Sequence, residues 1–181
     1  MDTGFGRIHD EGGNTMGSTI RVDESVQIDN PQAAVWDAIA DYAFDARWRK
    51  GLVEMTPDPP GPPAIGTKVH EVVRTSGREY VADTVVTALD PDVSYRFEGA
   101  GTIGGLSGGR AVRGDAPGTG AVFTYSVELQ PQGGMRLLRP ILGSIVRSGL
   151  KKDLQKLKAI LESPDAPARD EHQHAAADAR S

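Results

Sequence analysis

The stretch NPQAAVWDAIADYAFDARW, residues 30–48, holds both tryptophans of a chain in which aromatic residues make up only 6%. It begins with Asn30, a residue type that caps helices, and with Pro31, which suits the first helical position. Apolar residues then recur at helical spacing, among them Val35 and Trp36. We therefore predict a helix after Pro31 and a second short helix over about 42–48.

Alternation of apolar and polar residues on either side of this stretch indicates β-strands. Residues 20–28 alternate in this way, and residues 67–89 form two such runs around Ser76-Gly77. A two-residue turn there predicts a hairpin with Arg74 opposite Glu79 and His70 opposite Asp83. In this register His70 faces solvent, and the other face of the hairpin collects Val69, Glu71, Val73, Tyr80, Ala82, Thr84 and Val86.

The second half of the chain combines aromatic strands, glycines and a long helix. Tyr95 and Phe97 share one face of a predicted strand, as do Phe123 and Tyr125 of a later one. Residues 99–109, GAGTIGGLSGG, contain six glycines, which predicts a mobile loop. Residues 136–162 carry an apolar stripe of helical spacing, which predicts a long helix with Pro140 tolerated in its first turn.

Length and charge indicate one domain between two acidic tails. The chain has 181 residues, a formal net charge of −5 and no cysteine. We expect disordered tails at 1–18 and 163–181 and a folded domain at 19–162, with Met16 as a plausible start of translation. The composition argues against a general nucleic-acid binder, and no apolar run suits an export signal or a membrane span. We therefore expect a cytoplasmic protein.

Five segments carry a resemblance to a known superfamily: IDNPQAAVWDAIAD (28–41) followed by Trp48, IGTKV (65–69), VVTALDPDVSYRF (85–97), TGAVFTYSVEL (119–129) and DLQKLKAILE (153–162). In this order they resemble the START/birch-pollen-allergen superfamily, often called SRPBCC, and within it the polyketide cyclase/dehydrase-like branch. The resemblance implies an α+β helix-grip fold. In that fold a curved antiparallel sheet of six to seven strands wraps around a long C-terminal helix, with two short helices after the first strand and a cavity between sheet and helix.

The superfamily implies several functions. Its members bind lipids, sterols, quinones, hormones and polyketide intermediates in the cavity, so we expect binding or transport of a hydrophobic small molecule. One alternative is a polyketide cyclase/dehydratase with an inward acid or base, and another is a protein-interaction module with a collapsed cavity. We expect no metal and no cofactor, because the four histidines lack metal-ligand spacing and the glycine-rich segment lacks the ending of a phosphate loop.

The inward faces predict which residues contact a ligand. Glu71 is the acidic residue that the hairpin register points inward, where burial would raise its pKa and suit it to acid/base chemistry. Glu24 shares the inward parity of the first strand, and an ion pair of Glu71 with Arg96 or Arg110 is the structural alternative. Trp36 is expected to support the fold, whereas residues 99–109 would form a flap at the mouth. The predicted cavity residues are Trp48, Val69, Glu71, Val73, Tyr80, Tyr95, Phe97, Phe123, Tyr125, Leu138, Leu142 and Ile145.

The last predicted helix has a basic face. It carries seven cations together with the acidic residue Asp153. Such a face either is simply solvated or makes weak contact with an anionic membrane surface or an acidic carrier protein. The cations are Arg136, Arg139, Arg147, Lys151, Lys152, Lys156 and Lys158.

Overall fold

The structure, a computed structural model, describes residues 19–75, 77–116 and 120–163. The two predicted tails and Met16 lie outside these residues, apart from Ser163. In chain order the elements are β1 (Ile20–Ile28), α1 (Gln32–Ala40), α2 (Asp45–Trp48), β2 (Leu52–Asp58), β3 (Lys68–Thr75), β4 (Arg78–Asp90), β5 (Ser94–Gly101), β6 (Gly104–Ala116), β7 (Gly120–Pro131), a 3-10 helix (Gly133–Leu138) and α3 (Arg139–Leu161).

The seven strands form one antiparallel sheet in the order β1-β7-β6-β5-β4-β3-β2. The C-terminal half of α3 buries Leu150, Leu154 and Leu157 in the core that this sheet shares with the short helices. Trp36 of α1 joins the same core through an edge-to-face contact with Tyr95 of β5, with ring centroids 6.3 Å apart. The predicted helix-grip fold is confirmed, including the two short helices after the first strand.

The predicted β3–β4 hairpin is confirmed residue by residue. Arg74 lies opposite Glu79, Val73 opposite Tyr80 and His70 opposite Asp83. On the outer face, the His70 ring contacts Asp83 with 2.7 Å between Nδ1 and Oδ1. The register therefore turns Val69, Glu71 and Val73 toward α3, as the alternation of the sequence predicted.

The prediction of a mobile loop over 99–109 is wrong, because these residues belong to β5 and β6. Gly99 pairs with Leu106, and Gly101 pairs with Gly104 at the tight turn between the two strands. These glycines let neighbouring strands and side chains approach closely, and they do not make the segment a mobile loop. A Cβ atom at Gly108 would lie 2.7 Å from Cζ of Phe97 and would also overlap the carbonyl oxygen of Ser126.

Two predicted helix ends are corrected. The N-cap of α1 is Pro31 rather than Asn30, since the amide of Val35 donates to the Pro31 carbonyl oxygen. The Asn30 side chain instead donates to the carbonyl oxygen of Leu161 at 2.7 Å, which ties the start of α1 to the end of α3. The long helix starts at Arg139 rather than at residue 136, after the 3-10 turn, and Pro140 lies in its first turn as predicted.

Candidate functional site

A cavity of about 520 Å³ lies between the concave face of the sheet and α3. Strands β3 to β7 supply most of the wall, and α3 closes one side with Leu142, Val146 and Leu150. The loop after α2 contributes Arg49 and Lys50. The cavity thus has a mainly apolar wall with charged residues concentrated beside α2.

Nine of the twelve predicted cavity residues lie on this wall. They come from β3, β4, β5, β7 and α3, so residues more than 70 positions apart in sequence surround one space. Whether they contact a ligand stays a prediction. The nine residues are Val69, Glu71, Val73, Tyr80, Tyr95, Phe97, Tyr125, Leu142 and Ile145.

The other three predicted residues lie elsewhere. Trp48 and Phe123 are fully buried behind the wall, where their rings meet edge to face with centroids 6.2 Å apart. Leu138 ends the 3-10 helix and is 47% exposed, because α3 begins only after it. Trp48 therefore supports the wall from behind, and Tyr125 stands between it and the cavity.

A buried ion pair that the sequence analysis did not predict lies at the α2 end of the cavity. Arg110 of β6 is 1% exposed and Asp45 of α2 is fully buried. The Arg110 guanidinium donates from Nη1 to Asp45 Oδ1 and to the Ile39 carbonyl oxygen, each at 2.9 Å, and from Nη2 to Asp45 Oδ2. The rings of Trp48, Tyr95 and Tyr125 surround this guanidinium. The alternation of side chains along a strand could have indicated that Arg110 is buried. Arg110 lies opposite Tyr95 and Tyr125 in the sheet and so shares their inward face.

Glu71 forms its ion pair with Arg49, not with Arg96 or Arg110. Arg49 donates from Nη2 to Glu71 Oε1 at 2.6 Å and from Nη1 to Oε2 at 2.9 Å, and Nη1 also lies 3.4 Å from Asp45 Oδ2. Burial raises the pKa of Glu71, but the Arg49 guanidinium outweighs it, so the pKa lies below its ordinary value. The expected rise in pKa is therefore wrong, and Glu71 is ionised at neutral pH.

Tyrosine side chains complete this polar end of the cavity. Burial raises the pKa of Tyr42 to about 12, against the smaller opposing effects of Arg110 and Tyr95. Burial likewise holds the pKa of Tyr95 well above its usual range. Both phenols therefore keep their protons at physiological pH and act as hydrogen-bond donors. Tyr42, which the sequence analysis did not select, lies on the cavity wall beside Tyr95.

Two further acidic residues, Glu24 of β1 and Asp153 of α3, lie outside the Arg49–Glu71 pair. Glu24 of β1 faces Arg147 of α3, with 3.4 Å between Oε1 and Nε, so it does not share the cavity with Glu71. Asp153 lies at the cavity edge, where its Oδ1 accepts a hydrogen bond from the Lys50 amide at 3.0 Å. Burial raises the pKa of Asp153 above its ordinary value.

A shallower groove of about 570 Å³ runs along the outside between β1 and the start of α3. Its arginines are already engaged: Arg21 contacts Glu128, Arg147 contacts Glu24, and Arg139 donates to the Thr19 carbonyl oxygen. Because the groove is open and its cations have partners, the internal cavity is the better candidate site.

Within the described part of the chain, no group of three or more His, Cys, Asp or Glu side chains is arranged to hold a metal ion. None of the helices in these residues has the length and apolar character needed to cross a membrane.

Comparison with solved structures shows the same fold in other proteins. The aromatase/cyclase Zhui from Streptomyces sp. R1128 is 18% identical, with a TM-score of 0.64 over 80% of this chain and 94% of that one. A START superfamily protein from Mycobacterium smegmatis is 11% identical, with a TM-score of 0.65 over 78% and 97%. Ara h 8.0201 is 14% identical, with a TM-score of 0.60 over 79% and 97%.

The family itself is set by sequence. No curated protein matches the chain. The sequence profile described as "Polyketide cyclase / dehydrase and lipid transport" matches residues 19–162, which are most of the chain and include every element that surrounds the cavity. The chain belongs to the polyketide cyclase/dehydrase and lipid transport family.

Proposed function

We propose that this protein binds and carries a hydrophobic small molecule in the cavity between the sheet and α3. The observation that carries the proposal is the cavity of about 520 Å³, whose wall is built mainly from apolar side chains. Sites for small organic ligands have this size and this mixture of apolar surface with a few polar groups. The membership of the family, whose description includes lipid transport, supports the same proposal.

A cavity-filling variant tests this proposal. Ala82 of β4 lies on the cavity wall, whereas Ala88 of the same strand is exposed. Wild-type protein should show saturable changes in its amide NMR signals with a lipid, quinone or polyphenol. Ala82→Phe should abolish these changes and the matched control Ala88→Phe should retain them. An absence of binding by the wild-type protein, or equal binding by both variants, would contradict the proposal.

The enzymatic alternative is a polyketide cyclase/dehydratase that uses Glu71. The position of Glu71 on the cavity wall with Tyr80 and Tyr125 favours it. Because Arg49 lowers the pKa of Glu71, the carboxylate is a weak base and is not protonated for use as an acid. We therefore rank the carrier function first. Loss of poly-β-keto cyclisation in Glu71→Gln, with ligand binding retained, would reverse this order.

The third alternative, a protein-interaction module, predicted a collapsed cavity. An open cavity of about 520 Å³ favours ligand binding over that alternative. A ligand would also need a route of entry, for which α3 and the 3-10 helix before it offer an exposed apolar face near the cavity. Ile145 both lines the cavity and is 51% exposed. We define the mouth face by the exposed apolar residues Leu137, Leu138, Ile141 and Ile145.

We further propose that the mouth face rests on an anionic membrane surface during loading. Exposed apolar side chains on a helix insert into the headgroup region, and neighbouring cations attract anionic lipids. Ile141 and Ile145 precede Lys152 by 11 and 7 residues, a spacing that keeps all three on one side of the helix. Arg136 of the 3-10 helix and Lys151 and Lys152 of α3 are exposed as well.

A further inference from the structure

The α2 end of the cavity holds hydrogen-bond donors that have no acceptor. The Tyr42 hydroxyl and Nε of Arg110 are buried, and neither donates a hydrogen bond to an acceptor among the described residues, although the Tyr95 hydroxyl lies where it can donate to Tyr42. Both side chains lie on the cavity wall, and they are only 4% and 1% exposed. The Trp48 indole N–H is also unpaired, but that side chain lies behind the wall.

The acceptors around these donors serve other donors. Both Asp45 oxygens bind the terminal nitrogens of Arg110, and both Glu71 oxygens bind Arg49. The Ile39 carbonyl oxygen accepts from Arg110 as well. If the Tyr95 hydroxyl donates to the Tyr42 oxygen, the Tyr42 proton still needs an acceptor. The two phenols together therefore leave one surplus donor. An unpaired donor in a buried site costs folding free energy, and native proteins rarely leave one.

We propose that this end of the cavity is a subsite for a neutral carbonyl oxygen of the ligand, which accepts a hydrogen bond from Tyr42 and faces the Arg110 guanidinium. The inference rests on the proposed binding function and deepens it. The two ion pairs, Arg110–Asp45 and Arg49–Glu71, balance their charges. An anionic headgroup would therefore find no net positive charge here, whereas a ketone or quinone oxygen supplies the acceptor that the donors lack. The apolar body of the ligand would lie against β3–β7 and α3.

Benzophenone and diphenylmethane are the probes that test this subsite, since they share two phenyl rings and differ in C=O against CH₂. We expect benzophenone to bind wild-type protein about tenfold more tightly, as one good hydrogen bond allows. Tyr42→Phe should remove most of this preference and leave the affinity for diphenylmethane unchanged. Equal affinities in the wild-type protein, or a preference that survives in Tyr42→Phe, would overturn the subsite while the binding function stands. Failure of both probes to bind would overturn both proposals.

The thermal stability of the ligand-free protein gives a second readout. If the Tyr42 hydroxyl is reserved for a ligand, Tyr42→Phe should leave the melting temperature of the free protein unchanged or raise it. Thr67 provides the contrast, because its buried hydroxyl accepts a hydrogen bond from the Ala64 amide at 3.2 Å. Thr67→Val should therefore lower the melting temperature. A drop in Tyr42→Phe as large as in Thr67→Val would assign the hydroxyl a structural role and overturn the inference.

Discussion

Asp45 holds the most buried charge pair of the described residues in place. Replacing it by Asn keeps the shape of the side chain but leaves the Arg110 guanidinium buried without a counter-ion. We expect Asp45→Asn to lower the free energy of unfolding by about 3–5 kcal/mol, as measured by urea denaturation. Asp23→Asn, at an exposed position of β1, is the control and should change it by less than about 0.5 kcal/mol. Equal effects of the two variants would show that the buried pair contributes no stability.

Glu71 makes the stability of this protein depend on pH. Its pKa in the folded protein lies below the unfolded value of 4.5. Its ion pair with Arg49 therefore stabilises the fold fully above about pH 4.5, and this stability is lost as the pH falls through the lower folded pKa. We expect Glu71→Gln to cost about 1.5–3 kcal/mol at pH 7 and progressively less as the pH falls below about 4.5, by denaturation across that range. A pH-independent cost would contradict the lowered pKa.

The pattern of polar residues in the sequence could not by itself reveal the Asp45–Arg110 and Arg49–Glu71 ion pairs. Asp45 and Arg110 are 65 residues apart, and charged side chains in short helices and strands normally indicate solvent. Burial of Glu71 could be predicted from strand alternation, since the hairpin fixed its face. Its partner could not, because Arg49 follows α2 and reaches the cavity only when α2 packs against the sheet. The sign of the Glu71 pKa shift depends on that partner, and so it was predicted wrongly.

At the scale of elements, we expect Gly108 of β6 and Gly149 of α3 to respond in opposite directions to replacement by alanine. A Cβ at Gly108 would overlap Phe97 and Ser126, whereas a Cβ at Gly149 on α3 meets nothing within 4 Å. We expect Gly108→Ala to lower the free energy of unfolding by about 1–3 kcal/mol. Gly149→Ala should raise it by up to about 1 kcal/mol, because alanine favours the helix. Both are measured by denaturation, and the same sign for both would refute this assignment.

The elements also explain which parts of the fold the sequence could predict. The β3–β4 hairpin alternates strictly around a two-residue turn, so its register followed from the pattern. The β5–β6 pair could not be recognised, because glycine has no side chain to alternate and its composition is that of a loop. These residues form strands because they pair with β4 and β7 on either side, and that pairing is a property of the whole sheet.

On the scale of the whole molecule, charge and apolar surface are unevenly distributed. The chain carries a net charge of −5, yet the outer side of α3 presents cations next to the mouth face. An acidic protein is repelled by anionic lipid unless one face is locally basic, and this face is also the one beside the cavity. Membrane contact at α3 would therefore bring the cavity, rather than an unrelated surface, to the lipid.

Vesicle sedimentation measures how much protein binds to lipid, and so tests whether the mouth face makes the contact. We expect the protein to bind phosphatidylserine vesicles more than phosphatidylcholine vesicles, with binding that weakens as salt screens the cations. Ile141→Ser should reduce binding because Ile141 is 61% exposed on the mouth face. Val93→Ser is the matched control, since Val93 is exposed in the β4–β5 turn near the start of α1, away from that face. Equal losses in the two variants, or equal binding to both lipids, would show that α3 does not direct the protein to membranes.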